Sequence, residues 1–292
     1  MENRKRPVGV IIGSVFLTIV MVVLGYYATI GISVRSAFHE KTIQKTVQKL
    51  EITTIQVEGS NLSEYVADKI NTSVKDENIK VSENEVKEIL DTEEVQQFIS
   101  ENLSEYADAI FNGTEGAGIT KDKIKELMET EAIKEIVKEN NISEEQYSEI
   151  TNSVIEQIPA EELTIEKLVP TLVTEQTNYL PIIRNVFSYR FLYIAAGVAL
   201  VIFVGMIFMN KRRPGFSGVG GILIGVFGCA VGVMTMLGGS LLNTIIPLGT
   251  DFFDCILSGF MVPALSIGLS VLIVSVAVLV VLTIINKKAK TA

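Results

Sequence analysis

The sequence predicts an all-α membrane protein: four transmembrane helices, with one extracytoplasmic helical domain inserted after the first. Three observations predict it. Residues 8–30 and 191–285 are almost free of charge, whereas residues 31–190 hold 16 basic and 31 acidic side chains. The uncharged parts contain four apolar stretches, each near the ~20 residues a helix needs to cross about 30 Å of hydrocarbon. In the charged part, apolar residues recur at the i, i+3, i+4 spacing of amphipathic helices.

Taken in order, residues 1–7 are a cytoplasmic N-terminus and 8–30 the first span. Residues 31–190 are the acidic domain and 191–209 the second span. Residues 210–215 form a cytoplasmic loop, 216–237 the third span, 238–261 an outer loop, 262–285 the fourth span, and 286–292 a cytoplasmic tail. No span contains Asp, Glu, Lys, Arg or His. Lys and Arg favour the cytoplasmic side of short loops. Arg4, Lys5 and Arg6 precede the first span, Lys211, Arg212 and Arg213 separate the second from the third, and Lys287, Lys288 and Lys290 follow the fourth. The remaining loop carries Asp251 and Asp254 and no base. These flanks place both termini in the cytoplasm and the insert outside. The first apolar run covers 23 residues, longer than the apolar region of about 7–15 in a cleaved signal peptide, and it is read as a retained anchor.

Within the insert, Leu62, Tyr65, Val66 and Ile70 share one helical face. Val95, Phe98, Ile99, Leu103, Tyr106 and Ile110 share a second, and Tyr147, Ile150, Val154 and Ile158 a third. Only residues 52–57 suggest an extended piece. Segment 81–102 resembles segment 119–140 at an offset of 38 residues, with matches at polar as well as apolar positions. Each copy reads as a helix, a break and a longer helix, and the two are expected to pack as similar hairpins. Ser82 with Glu85 forms a capping-box pair, in which hydroxyl and carboxylate each take an unsatisfied backbone N–H. Asp91 with Glu94 is expected to do the same at the break, and further starts fall at 142–146 and 163–166. Continuous helices over 33–50 and 171–189, the latter kinked at Pro181, are expected to join the domain to the membrane.

Chemistry-bearing residues are sparse. His39 is the only histidine, which leaves a catalytic triad or a histidine metal site little to work with. The acidic residues lack the spacing of a calcium-binding loop. No phosphate loop, dinucleotide fingerprint or nucleic-acid patch is visible. The sequence therefore assigns no catalytic, cofactor-binding or metal-ligating residue. Gly221, Gly225, Gly228 and Gly232 form a small-residue stripe in the third span. Such stripes let helix backbones approach closely, within one bundle or between copies in a homo-oligomer. Asp251 and Asp254 lie in a loop rich in apolar residues, which is expected to pack beneath the acidic domain. Cys229 and Cys255 are expected at different membrane depths and not to bridge. Five Asn-x-Ser/Thr sites, at Asn61, Asn71, Asn102, Asn112 and Asn141, read as helix ends followed by caps. The Lys-, Ile-, Asn- and Glu-rich composition and the cysteine-free insert point to a bacterial protein.

One span, a large outer domain and three further spans resembles the permease class typified by a bacterial division protein that partners an extracytoplasmic hydrolase activator. The cytoplasmic parts here, 1–7, 210–215 and 286–292, lack the amphipathic helix and longer loops with which that class docks an ATPase. The arrangement also resembles a set of uncharacterised bacterial four-span membrane proteins with a helical outer insert, residues 90–113 being similar to the centre of such inserts. That resemblance implies no activity and no site residue. The expectation is a non-catalytic multi-pass cell-membrane protein whose outer domain binds or scaffolds an envelope partner. The alternative is an accessory subunit of an envelope transport or secretion complex. Lipid bilayer, an envelope protein and a second copy are the partners in view; nucleic acid is not.

Overall fold

A computed structural model describes residues 8–57, 59–73, 80–114, 118–157, 179–210, 215–245 and 252–291. The bases at 4–6 and 211–213, Asp251, the helix start at 163–166 and residues 171–178 lie outside these residues. The described chain is helical apart from turns and one minimal hairpin, and it divides into two compact units. Met1–Ala37, Asn185–Gly238 and Leu257–Ala292 form the first; Phe38–Arg184 and Gly239–Ile256 form the second.

The first unit is built from α1 (Val8–Ala37), α10 (Tyr189–Met209) and most of α11 (Gly215–Ile245) and α12 (Phe252–Thr291), whose residues 239–245 and 252–256 belong to the second. Four segments, Gly9–Ala37, Leu180–Met209, Gly218–Thr244 and Phe253–Lys287, are long and apolar enough to cross a membrane. The helices overrun the expected spans. Backbone hydrogen bonding does not stop where hydrocarbon stops, so α1 continues through Arg35 and α11 through the start of the expected outer loop. Arg35 places its guanidinium over the Tyr189 ring, 4.4 Å from the centroid, a cation–π contact.

The glycine stripe of α11 lies on α12 of the same chain. A Cβ at Gly228 would stand 2.8 Å from the Gly268 Cα and 2.9 Å from the Ala264 carbonyl oxygen. Gly221 abuts Ser275, Gly225 abuts Leu272 and Gly232 abuts Leu265. With little hydrophobic force between helices in lipid, this close backbone contact supplies the packing. Ser14 of α1 and Asn210 at the end of α10, both fully buried, pair at 3.4 Å. Tyr26 of α1 stacks on Phe227 of α11 at 3.9 Å.

The second unit opens with a correction. The helix expected over 33–50 is broken: α1 ends at Ala37, and α2 (Glu40–Val47) starts anew with His39 as its cap, the Nδ1 accepting from the Lys41 N–H at 3.3 Å. On the returning side, α9 (Leu180–Val186) and α10 are separated by Phe187 and Ser188, and the Ser188 hydroxyl caps α10. Pro181 falls in the first turn of α9, where a missing N–H costs nothing, so it starts a helix instead of kinking one. After α2 come a 3₁₀ turn (Ile52–Thr54) and the strands β1 (Gln56–Val57) and β2 (Ser60–Asn61), paired antiparallel. Six helices follow: α3 (Leu62–Ser73), α4 (Glu83–Leu90), α5 (Glu93–Phe111), α6 (Lys121–Met128), α7 (Glu131–Glu139) and α8 (Glu144–Gln157).

Caps set these boundaries. The Ser82 hydroxyl accepts from Glu85 N–H at 3.3 Å while the Glu85 carboxylate accepts from Ser82 N–H at 2.5 Å. Ser143 and Gln146 close the same box at α8, at 3.2 and 3.0 Å. At the first break, Thr92 and not Asp91 caps α5, accepting from Val95 N–H at 3.3 Å. Asp91 instead ends α4 with helical dihedrals, so its side chain is a residue too early to meet the new helix's amides. Asn141, at φ 57, terminates α7 in the left-handed region. The Asn141 N–H reaches the Lys138 carbonyl and the Ile142 N–H the Val137 carbonyl, each at 3.1 Å, the paired bonds of a Schellman motif.

Candidate functional site: an apolar cavity in the helical domain

The stripes legible in the sequence build two clusters in the second unit. Ala67, Val81, Val86 and Ile150 join α3, α4 and α8. Ile52, Val95, Ile133 and Val137 join the 3₁₀ turn, α5 and α7. A smaller third cluster, Ile43, Val47 and Ala107, seats α2 on α5.

Between the first two clusters runs a partly open cavity of about 500 Å³. Its walls come from six helices, through Leu62 of α3, Val86 of α4, Phe98 of α5, Leu127 of α6, Ile136 of α7 and Val154 of α8 among others. Each helix points its apolar stripe inward, and the stripes meet around a space instead of filling it. Phe98 and Ile136 are half-buried wall residues. The size matches ligand pockets, typically ~300–1,000 Å³.

The few polar side chains in the wall are engaged elsewhere. Glu85 is held in its capping box. Asn140 donates to the Ile136 carbonyl at 2.9 Å and to Glu88 at 3.3 Å. Tyr147 donates its hydroxyl to the Met128 carbonyl, tying α8 to the end of α6. Burial, with the nearby Glu129 charge adding to it, raises the Tyr147 pKa above the ordinary 10.0. The wall therefore offers hydrocarbon and almost no hydrogen-bonding group.

Protein interiors are close-packed, and voids larger than a water are few. At ~24 cal/mol per Å³ of cavity, an enclosed void of this volume would cost about 12 kcal/mol, comparable to the ~5–15 kcal/mol that holds a typical domain together. An opening to solvent reduces that figure by letting water in, but water finds no partners on these walls.

The surroundings of the cavity are fixed by polar clamps. Lys123 Nζ donates to Glu105 at 2.5 Å, to the Asn102 side-chain oxygen at 3.2 Å and to the Gly118 carbonyl at 3.1 Å, holding α6 on α5. Arg184 donates to the Ala109 carbonyl from Nε at 3.1 Å and from Nη2 at 2.9 Å, bringing α9 to the end of α5. Gly113 sits beneath that guanidinium with φ +80, and a Cβ there would lie 3.2 Å from its atoms.

The other residues weighed from sequence are placed as follows. His39 is exposed and serves as a helix cap. Asp254 accepts from the Asn243 amide at 2.9 Å. Asn71 makes a two-way bond with the Val81 backbone at 2.7 and 2.8 Å, and Asn102 is 3% exposed. Among the described residues no group of three or more His, Cys, Asp or Glu is placed to hold a metal. Sequence reasoning found the wall residues as helix stripes but not the space between them, since a stripe announces a buried face and says nothing of how well its partner fills it. Comparison with family models, curated proteins and solved structures returned no match.

Proposed function

We propose that this is a non-catalytic, multi-pass cell-membrane protein whose acidic helical domain lies outside the cytoplasm and binds an envelope component in its apolar cavity. The cavity carries the reading: about 500 Å³ of space walled by six inward-facing apolar stripes, with three polar side chains in the wall that each make a hydrogen bond within the domain. Orientation is supported by the nine bases outside the insert, all beside the proposed cytoplasmic ends. The four membrane helices then serve as an anchor. A photoreactive benzoyl-phenylalanine replacing Phe98 in the full-length protein, illuminated in cells, tests binding. The expected result is a discrete adduct that the same probe at exposed Lys134 does not form. Equal labelling at both positions, or none at either, rejects the reading.

A further inference from the structure

We infer that the occupant of the cavity is a hydrocarbon chain of a bilayer lipid, one whose headgroup has no net negative charge. The inference rests on the reading that the cavity binds a ligand, and names that ligand's class.

The wall chemistry selects a chain over a peptide. An extended peptide brings one N–H and one C=O per residue, and buried backbone groups need partners. Glu85, Asn140 and Tyr147 are the exceptions to an otherwise apolar lining apart from backbone, and each makes a side-chain hydrogen bond within the domain. A peptide strand would enter with its backbone unsatisfied. A helix satisfies its own backbone, but at about 10–12 Å across with side chains little more than one turn fits in about 500 Å³. A saccharide or nucleotide would lose its water and gain nothing in return. A hydrocarbon chain has no polar group to satisfy, and it can bend to follow a space left between helix stripes.

Connectivity selects a bilayer lipid as the source. The domain's chain begins at Phe38, immediately after α1, and ends at Arg184, immediately before the residues leading into α10. Tethered at both ends to membrane-spanning helices, it has lipid as its most concentrated apolar neighbour. A chain moving from bilayer to cavity exchanges one apolar medium for another. The gain comes from removing the empty, poorly hydrated space.

Charge selects the headgroup. Residues 31–190 carry 31 acids against 16 bases, and like charges repel over the Debye length of ~8 Å at physiological salt. A zwitterionic headgroup at the mouth escapes that repulsion, and an anionic one does not.

The test uses the full-length protein in phosphatidylcholine vesicles doped with phosphatidylethanolamine carrying a diazirine at the end of one acyl chain. After illumination and digestion, label is expected on cavity walls, at Phe98, Leu127 and Ile136, at least tenfold above outward-facing Glu93 and Lys134. The membrane spans serve as the positive control. Leu127→Trp, which narrows the space, is expected to lower domain labelling at least fivefold and leave span labelling unchanged. The same probe on phosphatidylglycerol is expected to label the domain at least twofold less. Label confined to the spans, or spread equally over inward and outward residues, overturns the inference. Wild-type site mapping decides this even if Leu127→Trp fails to fold. Stronger labelling by phosphatidylglycerol overturns the headgroup assignment. A polypeptide trapped by benzoyl-phenylalanine at position 98 would overturn the lipid and leave the binding reading standing. No adduct of any kind would remove both.

Discussion

Tyr147 shows how one residue ties two walls of the cavity together and carries a pH signature. Its hydroxyl donates to the Met128 carbonyl from a half-buried position, and losing one such bond typically costs ~1 kcal/mol. Tyr147→Phe is therefore expected to lower hydrogen-exchange protection of α8 by about fivefold. Its pKa is raised by burial, so the folded state holds the proton more tightly than the unfolded state. That contribution is fully present below pH ~10 and is lost as pH rises through the folded pKa. Wild-type α8 should lose protection faster than Tyr147→Phe above that pH, and parallel losses would refute the assignment. In the membrane unit, the contrast is between two glycines of similar sequence context. Gly197 has nothing within 4 Å of an added Cβ, whereas Gly228 has backbone atoms at 2.8 and 2.9 Å. Backbone cannot step aside as a flexible side chain can. Gly228→Ala is expected to destabilise the bundle by ~1–3 kcal/mol and Gly197→Ala to be tolerated, read as thermal unfolding in mild detergent. Both lie in small-residue patterns that the sequence displays alike. Which of them faces a neighbouring helix is a property of the packed bundle.

The helical domain works at the scale of capped elements. The segments 81–102 and 119–140 each hold an eight-residue helix, a two-residue break and a second helix. Beyond that they diverge: α5 spans 19 residues and α7 only nine. The caps diverge as well. Thr92 accepts from the Val95 N–H, but Thr130 makes no such bond to α7 and its hydroxyl only donates to the Leu127 carbonyl. Loss of a capping Ser or Thr costs ~0.5–2 kcal/mol. Ser82→Ala and Thr92→Ala are therefore expected to lower domain stability by about 1 kcal/mol each, and Thr130→Ala by less than half of that. Denaturant midpoints of the three variants decide it; equal effects would show that the observed caps do not govern stability. The Ser82 box was legible because Ser and Glu three residues apart before an apolar stripe have one efficient arrangement. The choice of Thr92 over Asp91 was not, because either residue can cap, and the dihedrals of the preceding turn decide between them. The break in the helix expected over 33–50 has a related reason: the apolar periodicity survives the break, and nothing in it marks where His39 restarts the helix.

At the scale of the whole molecule, topology and the site of function make separate predictions. Cysteines placed near Ala292 and at exposed Lys134 should differ in labelling by a membrane-impermeant reagent on intact cells, only the second reacting. Reaction at the C-terminus would reverse the orientation argued from Lys and Arg. Replacing Phe98 and Ile136 by Asp places two carboxylates in an apolar wall, and loss of the gene's phenotype is expected. Scrambling 287–292 with its charge retained is expected to leave function intact; the opposite pair of results would mean that the domain is not where the protein acts. The sequence by itself determined the all-helical class, the four apolar membrane helices, the acidic insert, several helix faces and the capping boxes at Ser82 and Ser143. Those follow from local rules: hydrocarbon thickness, helical periodicity and the unsatisfied N–H groups of a helix start. Only the tertiary structure decided that Gly228 meets Gly268 and that six apolar stripes surround about 500 Å³ instead of closing on one another. Each of these depends on the distance between elements remote in sequence, which is set by how their side-chain volumes fit together, and a one-dimensional pattern carries no measure of fit.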